Sequence, residues 1–156
     1  MTEYTFQPHP HITVPVAGSA QQFPVRRIFC VGRNYAEHAR EMGFDPNREP
    51  PFFFTKPADA VVHDGATIPY PTLTENFHYE AELVVAIGKE GRNLSVEESP
   101  SYIWGYAVGN DLTRRDIQIQ AREKGRPWDW GKAFDHSAVI APLVPISRVA
   151  SLDTGH

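Results

Sequence analysis

The stretch NFHYEAELVVAIG, Asn76 to Gly88, places two carboxylates, Glu80 and Glu82, in a segment that otherwise reads as a buried strand. Side chains alternate faces along a strand with period two. Tyr79, Ala81, Leu83, Val85 and Ile87 therefore share one unbroken apolar face, and His78, Glu80, Glu82, Val84 and Ala86 share the other. That second face is polar at its start and apolar at its end. Two carboxylates about 4 Å apart repel by roughly 4 kcal/mol at an effective dielectric near 20. The pair therefore needs open water, a basic partner or a divalent cation. An edge strand with both groups in water remains the plain alternative to a cation site.

Outward from this strand the chain is punctuated by Pro and Gly. VRRIFCVG (25–32) reads as a buried strand closed by Gly32, and NYAEHAREMG (34–43) as a short helix ended by Gly43. DPNREPP (45–51) is a turn-rich loop. FFFTKP (52–57) and DAVV (59–62) read as strands interrupted at Pro57, and DGATIPYPTLTEN (64–76) as loop. After Gly88, KEGRNLSVEESPSY gives a turn and a helical turn. IWGYAVGND (103–111), aromatic and β-branched, is a strand. TRRDIQIQAREKG (113–125) follows as a helix, with Thr113 as N-cap, Asp116 three residues on and Gly125 at its end. RPWDWGKAFD (126–135) is loop, and SAVIAPLVPI (137–146) holds a short strand. Residues 1–24, with Pro8, Pro10, Pro15 and Pro24, read as an extended arm packed on the surface of a domain over 25–156. Many short strands with two modest helices indicate a mainly β fold with α decoration, an α+β class.

The 156 residues suffice for one compact domain with a genuine core. Hydrophobic residues are 41% and charged residues 22%, a globular composition that argues against disorder. No apolar run approaches the roughly 20 residues of a membrane span, and the N-terminus lacks the pattern of a secretory signal. Cys30 is the single cysteine, which excludes an internal disulfide and fits a reducing compartment. A net charge of −4 does not favour a polyanion, so neither nucleic acid nor membrane is an expected partner. The expectation is a soluble cytoplasmic protein.

Several other residues are candidates for chemistry. Asp111 ends an apolar strand just before a helix, where sites are commonly built. Meeting Glu80 and Glu82, it would complete an all-oxygen set suited to Mg²⁺, Mn²⁺ or Ca²⁺ rather than zinc; a turn or helix-cap role is the alternative. His38 and Glu41, spaced i, i+3, share a helix face and could form a water-activating pair, or simply an exposed polar face. Lys132, between aromatic and small residues in WGKAFD, could stabilise an enolate or oxyanion, or lie in water. The run from Arg114 to Arg126 is interleaved with Asp116 and Glu123, which weakens a nucleic-acid reading. Cys30, on a strand, reads as core rather than nucleophile.

CVGRNYAEHAREMG, PFFFTKPADAVV, NFHYEAELVVAIG, GYAVGNDLTRRDIQ and GRPWDWGKAFD, in that order over roughly residues 25–145, resemble the fumarylacetoacetate hydrolase family. The likeness is strongest to members that hydrolyse acylpyruvates such as 3-fumarylpyruvate. The resemblance implies a β-roll with few helices, usually dimeric, acting on a small ketoacid. It implies that Glu80, Glu82 and Asp111 bind Mg²⁺ or Mn²⁺, with Ca²⁺ able to substitute in vitro. It makes His38 and Glu41 the water-activating dyad and Lys132 the active-site lysine, and it turns Arg115 and Gln118 toward the bound ketoacid. The implied reaction cleaves a C–C bond, giving fumarate and pyruvate in gentisate catabolism. Oxaloacetate decarboxylation, isomerisation of an unsaturated ketoacid, and a non-catalytic fragment are the rival expectations. Family members continue for about another hundred residues beyond this point, within one-domain size. The chain is therefore expected to lack the closing strands and a TGTP-type loop.

Overall fold

The structure is a computed structural model, and it describes residues 3–32, 51–150 and 152. Strands β1 (Thr13–Pro15) and β2 (Gln22–Pro24) form an antiparallel hairpin. Strand β3 (Ile28–Gly32) pairs antiparallel with β4 (Phe52–Lys56). A 3₁₀ turn at Ala58–Ala60 follows Pro57 and leads into β5 (Val61–His63). Then come β6 (Phe77–His78), β7 (Ala81–Ile87), β8 (Ile103–Asp111) and β9 (Thr113–Arg114). Helices α1 (Arg115–Glu123) and α2 (Asp129–Lys132) precede β10 (Ala138–Ile140) and β11 (Val144–Pro145).

Strand β8 organises the molecule. It pairs antiparallel with β7 along one edge and with β10 and β11 along the other, while β10 continues in parallel to β5. Small residues on its inner face make this crowding sterically feasible. A Cβ on Gly105 would lie 2.3 Å from the Val144 carbonyl oxygen, and one on Gly109 would lie 2.6 Å from Val84 Cγ2. Val14, Ala86, Ala107, Ile140 and Leu143 form the buried core, flanked by Phe23, Val84 and Trp104. The hairpin is stitched to this core by hydrogen bonds from Leu143 N to Pro15 O (2.8 Å) and from Ala17 N to Leu143 O (2.9 Å).

The period-two division of residues 76–88 holds, but its orientation is the reverse of a simple amphipathic strand. Ala86 is buried and Glu80, Glu82 and Val84 are half-buried, whereas Tyr79, Leu83, Val85 and Ile87 are exposed. The strand also breaks at Tyr79–Glu80: β6 pairs with β9, and β7 pairs with β8. Other expectations need correction. Residues 25–32 are half-exposed rather than buried, because Phe29 and Val31 point outward from β3. Residues 13–24 are a hairpin with Val14 in the core rather than a purely extended, surface-packed segment. Thr113 is not the helix cap. It lies in β9, fully buried, and its hydroxyl donates to Asp111 O. Within 126–135, Asp129–Lys132 form a helical turn where loop is expected. The helix expected over 34–43, including His38 and Glu41, lies outside the described residues.

Candidate functional site

The ends of β7 and β8 bring two of the expected carboxylates together. Asp111 N donates to Glu80 O at 2.8 Å, and Glu80 N donates to the Asn110 side-chain oxygen at 3.0 Å. These bonds fix the irregular backbone at Glu80 beside the end of β8. Glu82, half-buried, follows on the same face and pairs across the sheet with Gly109.

Lys132 enters from α2, buried to within 2% of full. Its ammonium donates to Glu80 Oε2 (2.7 Å), Asp111 Oδ2 (2.8 Å) and Thr113 Oγ1 (2.7 Å). An ammonium has three donors, so each has a partner here. The reading of this residue as a loop lysine in water is therefore excluded. The close packing of α2 on α1 depends on Gly131, where a Cβ would lie 3.0 Å from Gln118 Cα. The Phe54 ring centroid lies 5.0 Å from Lys132 Nζ, and Trp128 packs against both Phe52 and Phe54.

Lys56 is a second buried ammonium, and the sequence reading passed over it. It donates to Leu112 O at 3.1 Å and to Lys132 O, and it sits 2.9 Å from Asp111 Oδ1. That last contact is a buried ion pair, and it gives Asp111 Oδ1 a cationic partner. A signal was available: with Phe52 and Phe54, Lys56 occupies the inward parity of β4. An inward lysine on an apolar strand demands a buried anion.

Arg115, at the start of α1, pairs with Glu80 Oε1 and donates to Gln118 Oε1 at 3.1 Å. Arg115 and Gln118, expected to face a ketoacid, thus stand side by side next to the carboxylates, with Gln118 buried. Asp116 anchors the approach to the site. Its carboxylate accepts from the Thr74 hydroxyl, from Glu75 N at 3.0 Å and from Ile117 N at 2.9 Å.

The electrostatics follow from this packing. Burial pushes the Glu80 carboxyl up, but Lys132 and Arg115 outweigh it and hold the group below its ordinary range. Burial pushes the Lys56 ammonium down, and Asp111 offsets part of that. The Cys30 thiol is pushed up to about 11, first by burial and then by the Asp111 charge. A cleft of about 530 Å³ lies elsewhere, between Phe23, Ile87 and Trp104, and no ionisable side chain lines it. The ionisable groups, not the cleft, mark the candidate site.

Among the described residues, no group of three His, Cys, Asp or Glu side chains converges as a ready-made metal cage. Glu80 and Asp111 converge instead on the Lys132 ammonium. The donor chemistry, carboxylate oxygens at the ends of β7 and β8, is of the type a hard divalent cation takes. The positions of His38 and Glu41 relative to this cluster lie outside the described residues.

The fold and site define a class: a β-rich protein with a buried and a half-buried carboxylate and two buried lysines gathered at the end of a central strand, flanked by an arginine and a glutamine. Residues 27–155 match the family model described as fumarylacetoacetate (FAA) hydrolase C-terminal, and the chain belongs to that family. It is 58% identical to a solved fumarylpyruvate hydrolase from Pseudomonas aeruginosa in complex with Mn²⁺ and pyruvate. That match has a TM-score of 0.89 and covers 95% of this chain and 65% of that one. A fumarylpyruvate hydrolase of Ralstonia sp is 49% identical over 105 residues, 67% of this chain and 55% of that protein. The mitochondrial oxaloacetate decarboxylase of Dictyostelium discoideum is 37% identical over 129 residues, 82% of this chain and 59% of that protein. The chain thus spans between about half and two thirds of the length of these relatives.

Proposed function

We propose that the chain carries the catalytic site of an acylpyruvate hydrolase that cleaves 3-fumarylpyruvate to fumarate and pyruvate, a step of gentisate catabolism. The carrying observation is the Lys132 ammonium held between Glu80 and Asp111 beside the Arg115–Gln118 pair. The likeness to a fumarylpyruvate hydrolase in complex with Mn²⁺ and pyruvate supports the same reading. Glu80, Glu82 and Asp111 would hold Mg²⁺ or Mn²⁺, which supplies Lewis-acid polarisation of the ketoacid's oxygens.

The chain's own residues account for the remaining chemistry. Arg115 and Gln118 bind and orient the ketoacid carboxylate. His38, oriented by Glu41, takes a proton from the water that attacks the distal carbonyl carbon. The bond between that carbon and the adjacent methylene then breaks, leaving fumarate and the enolate of pyruvate. Its developing charge falls to the buried Lys132 ammonium. Protonation of the enolate carbon completes one water added and one C–C bond lost. The assembly is a homodimer and its compartment the cytoplasm.

The test is loss of the fumarylpyruvate absorbance with Mn²⁺ on protein of verified mass, repeated for His38→Ala. Hydrolysis should fall by on the order of 10² to 10⁴, the worth of a positioned base; unchanged hydrolysis would sink the dyad. The likeness to oxaloacetate decarboxylase favours a second reading, because decarboxylation needs no attacking water. Decarboxylation that survives in His38→Ala, with no hydrolysis in the unmodified chain, would favour that reading. Absence of both activities would favour an inert fragment.

A further inference from the structure

We infer that Lys56 and Ser137 are positioning residues for Lys132: two buried donors from separate elements grip its backbone carbonyl and so set where its ammonium stands. This rests on the reading of Lys132 as the group that takes up the developing enolate charge. Lys132 ends α2, a single helical turn of four residues. The carbonyl oxygen at such a helix end has no partner within the helix, and a buried carbonyl needs one. Lys56 Nζ donates to that oxygen from β4, and Ser137 Oγ donates to it at 3.1 Å from the turn before β10. Both donors are buried, Ser137 completely.

The same two residues hold the backbone beside Asp111. Lys56 Nζ donates to Leu112 O at 3.1 Å, and Ser137 O accepts from Leu112 N at 3.0 Å. A closed ring of bonds therefore runs from Leu112 through Ser137 to Lys132 and back through Lys56. His136, just before Ser137, has a φ of 62°, a left-handed conformation that strains a residue with a side chain. The Ser137 N–H donates to Phe134 O at 3.1 Å and closes that turn. Lysine carries its ammonium on a flexible four-carbon stem. Meeting Glu80, Asp111 and Thr113 together therefore requires a fixed backbone beneath it. Arg115 and Gln118 bond to each other, and Arg115 to Glu80, so the ketoacid contacts are held separately.

The experiment compares the unmodified chain with Ser137→Ala and Lys56→Met, and with Gly105→Ala as a destabilised control at the far end of β8. Fumarylpyruvate hydrolysis with Mn²⁺ is measured well below each thermal midpoint. Positioning predicts a kcat lower by about ten-fold in Ser137→Ala and by up to about a hundred-fold in Lys56→Met, because small misplacements cost factors of this size. KM should stay within about two-fold, since Arg115 and Gln118 keep their contacts. Gly105→Ala should keep the parental kcat. Parental kcat in both site variants, whatever KM does, overturns the inference and leaves the proposed function standing. If Lys56→Met does not fold, Ser137→Ala decides alone. If the unmodified chain turns nothing over, the functional reading fails separately and the ¹⁵N signal of the Lys132 ammonium decides. A shifted or exchange-broadened signal in Ser137→Ala, with the parental signal in Gly105→Ala, supports the inference. The parental signal in both overturns it.

Discussion

Lys56 Nζ ties β4 to two segments distant in sequence: the end of β8, through the Asp111 carboxylate and the Leu112 carbonyl, and α2, through the Lys132 carbonyl. Its side chain is almost wholly buried, so its removal leaves polar partners stranded in a dry site. Breaking a buried ion pair from one side typically costs about 3–5 kcal/mol. Because Lys132 also serves Asp111, Lys56→Met is expected at the lower end, near 3 kcal/mol, read from the urea midpoint. Lys56→Met with Asp111→Asn should recover part of that loss, since the stranded charge is gone. A single variant as stable as the parent would contradict the assigned role. Cys30 offers a second check at this scale. A thiol pushed up to about 11 from 9.0 holds about a hundred-fold less thiolate at pH 8. Iodoacetamide should modify it about a hundred-fold more slowly than an ordinary cysteine under the same conditions, and faster modification would show that its surroundings are wetter than described. The sign for stability is the same. The unfolded thiol ionises first, so above about pH 9 ionisation favours the unfolded chain.

The central strand fixes its neighbours through what it lacks. A methyl group at Gly105 would meet the Val144 carbonyl at 2.3 Å, a backbone atom that cannot rotate away. Gly105→Ala should therefore cost about 1–3 kcal/mol by overpacking and loosen β11, read as faster amide exchange at Val144. The Asp116 clamp is the second device at this scale. Bonds from the Thr74 hydroxyl, offset slightly by burial and reinforced by the Glu75 and Ile117 N–H groups, hold the carboxyl below its ordinary 3.8. A depressed carboxyl contributes stability that is present above the unfolded value and lost as pH falls through the lower folded one. The thermal midpoint should thus fall below about pH 3.8, and Asp116→Asn should flatten that part of the profile. An unchanged profile would remove the clamp from the account.

These elements also show what the sequence could carry. IWGYAVGND was legible as a strand because its residue types leave little choice, with Asp111 at its end. The meeting of Glu80, Asp111 and Lys132 was expected from the family likeness, but the direct ion pairs were not, since nothing local encodes a contact across fifty residues. Thr113 carried a genuine cap signal, yet a tertiary contact with Lys132 took the hydroxyl. Lys56 escaped because a lysine on a strand is usually at the surface.

At the scale of the whole molecule, the outer face of β7 and β8 is apolar and exposed. Leu83 pairs with Val108 and Val85 with Tyr106 across that face, and Leu83, Val85, Ile87 and Val108 are 50%, 43%, 58% and 67% exposed. The opposite face carries Glu80, Glu82 and Val84, half-buried, and Ala86 in the core. Period two fixes which residues share a face but not which face is covered. Contiguous exposed apolar surface of this kind binds hydrophobic dyes and promotes association. Replacing the facing pair by Leu83→Lys with Val108→Glu substitutes opposite charges directly across the ladder, an arrangement that supports strand pairing. Because both positions point away from the core, folding stability should stay within about 0.5 kcal/mol of the parent. Anilinonaphthalene sulfonate fluorescence should fall, and the sedimentation coefficient should become independent of concentration. Dye binding that persists in a fully folded double variant would place the exposed apolar surface elsewhere, with the cleft between Phe23, Ile87 and Trp104 the next surface to alter.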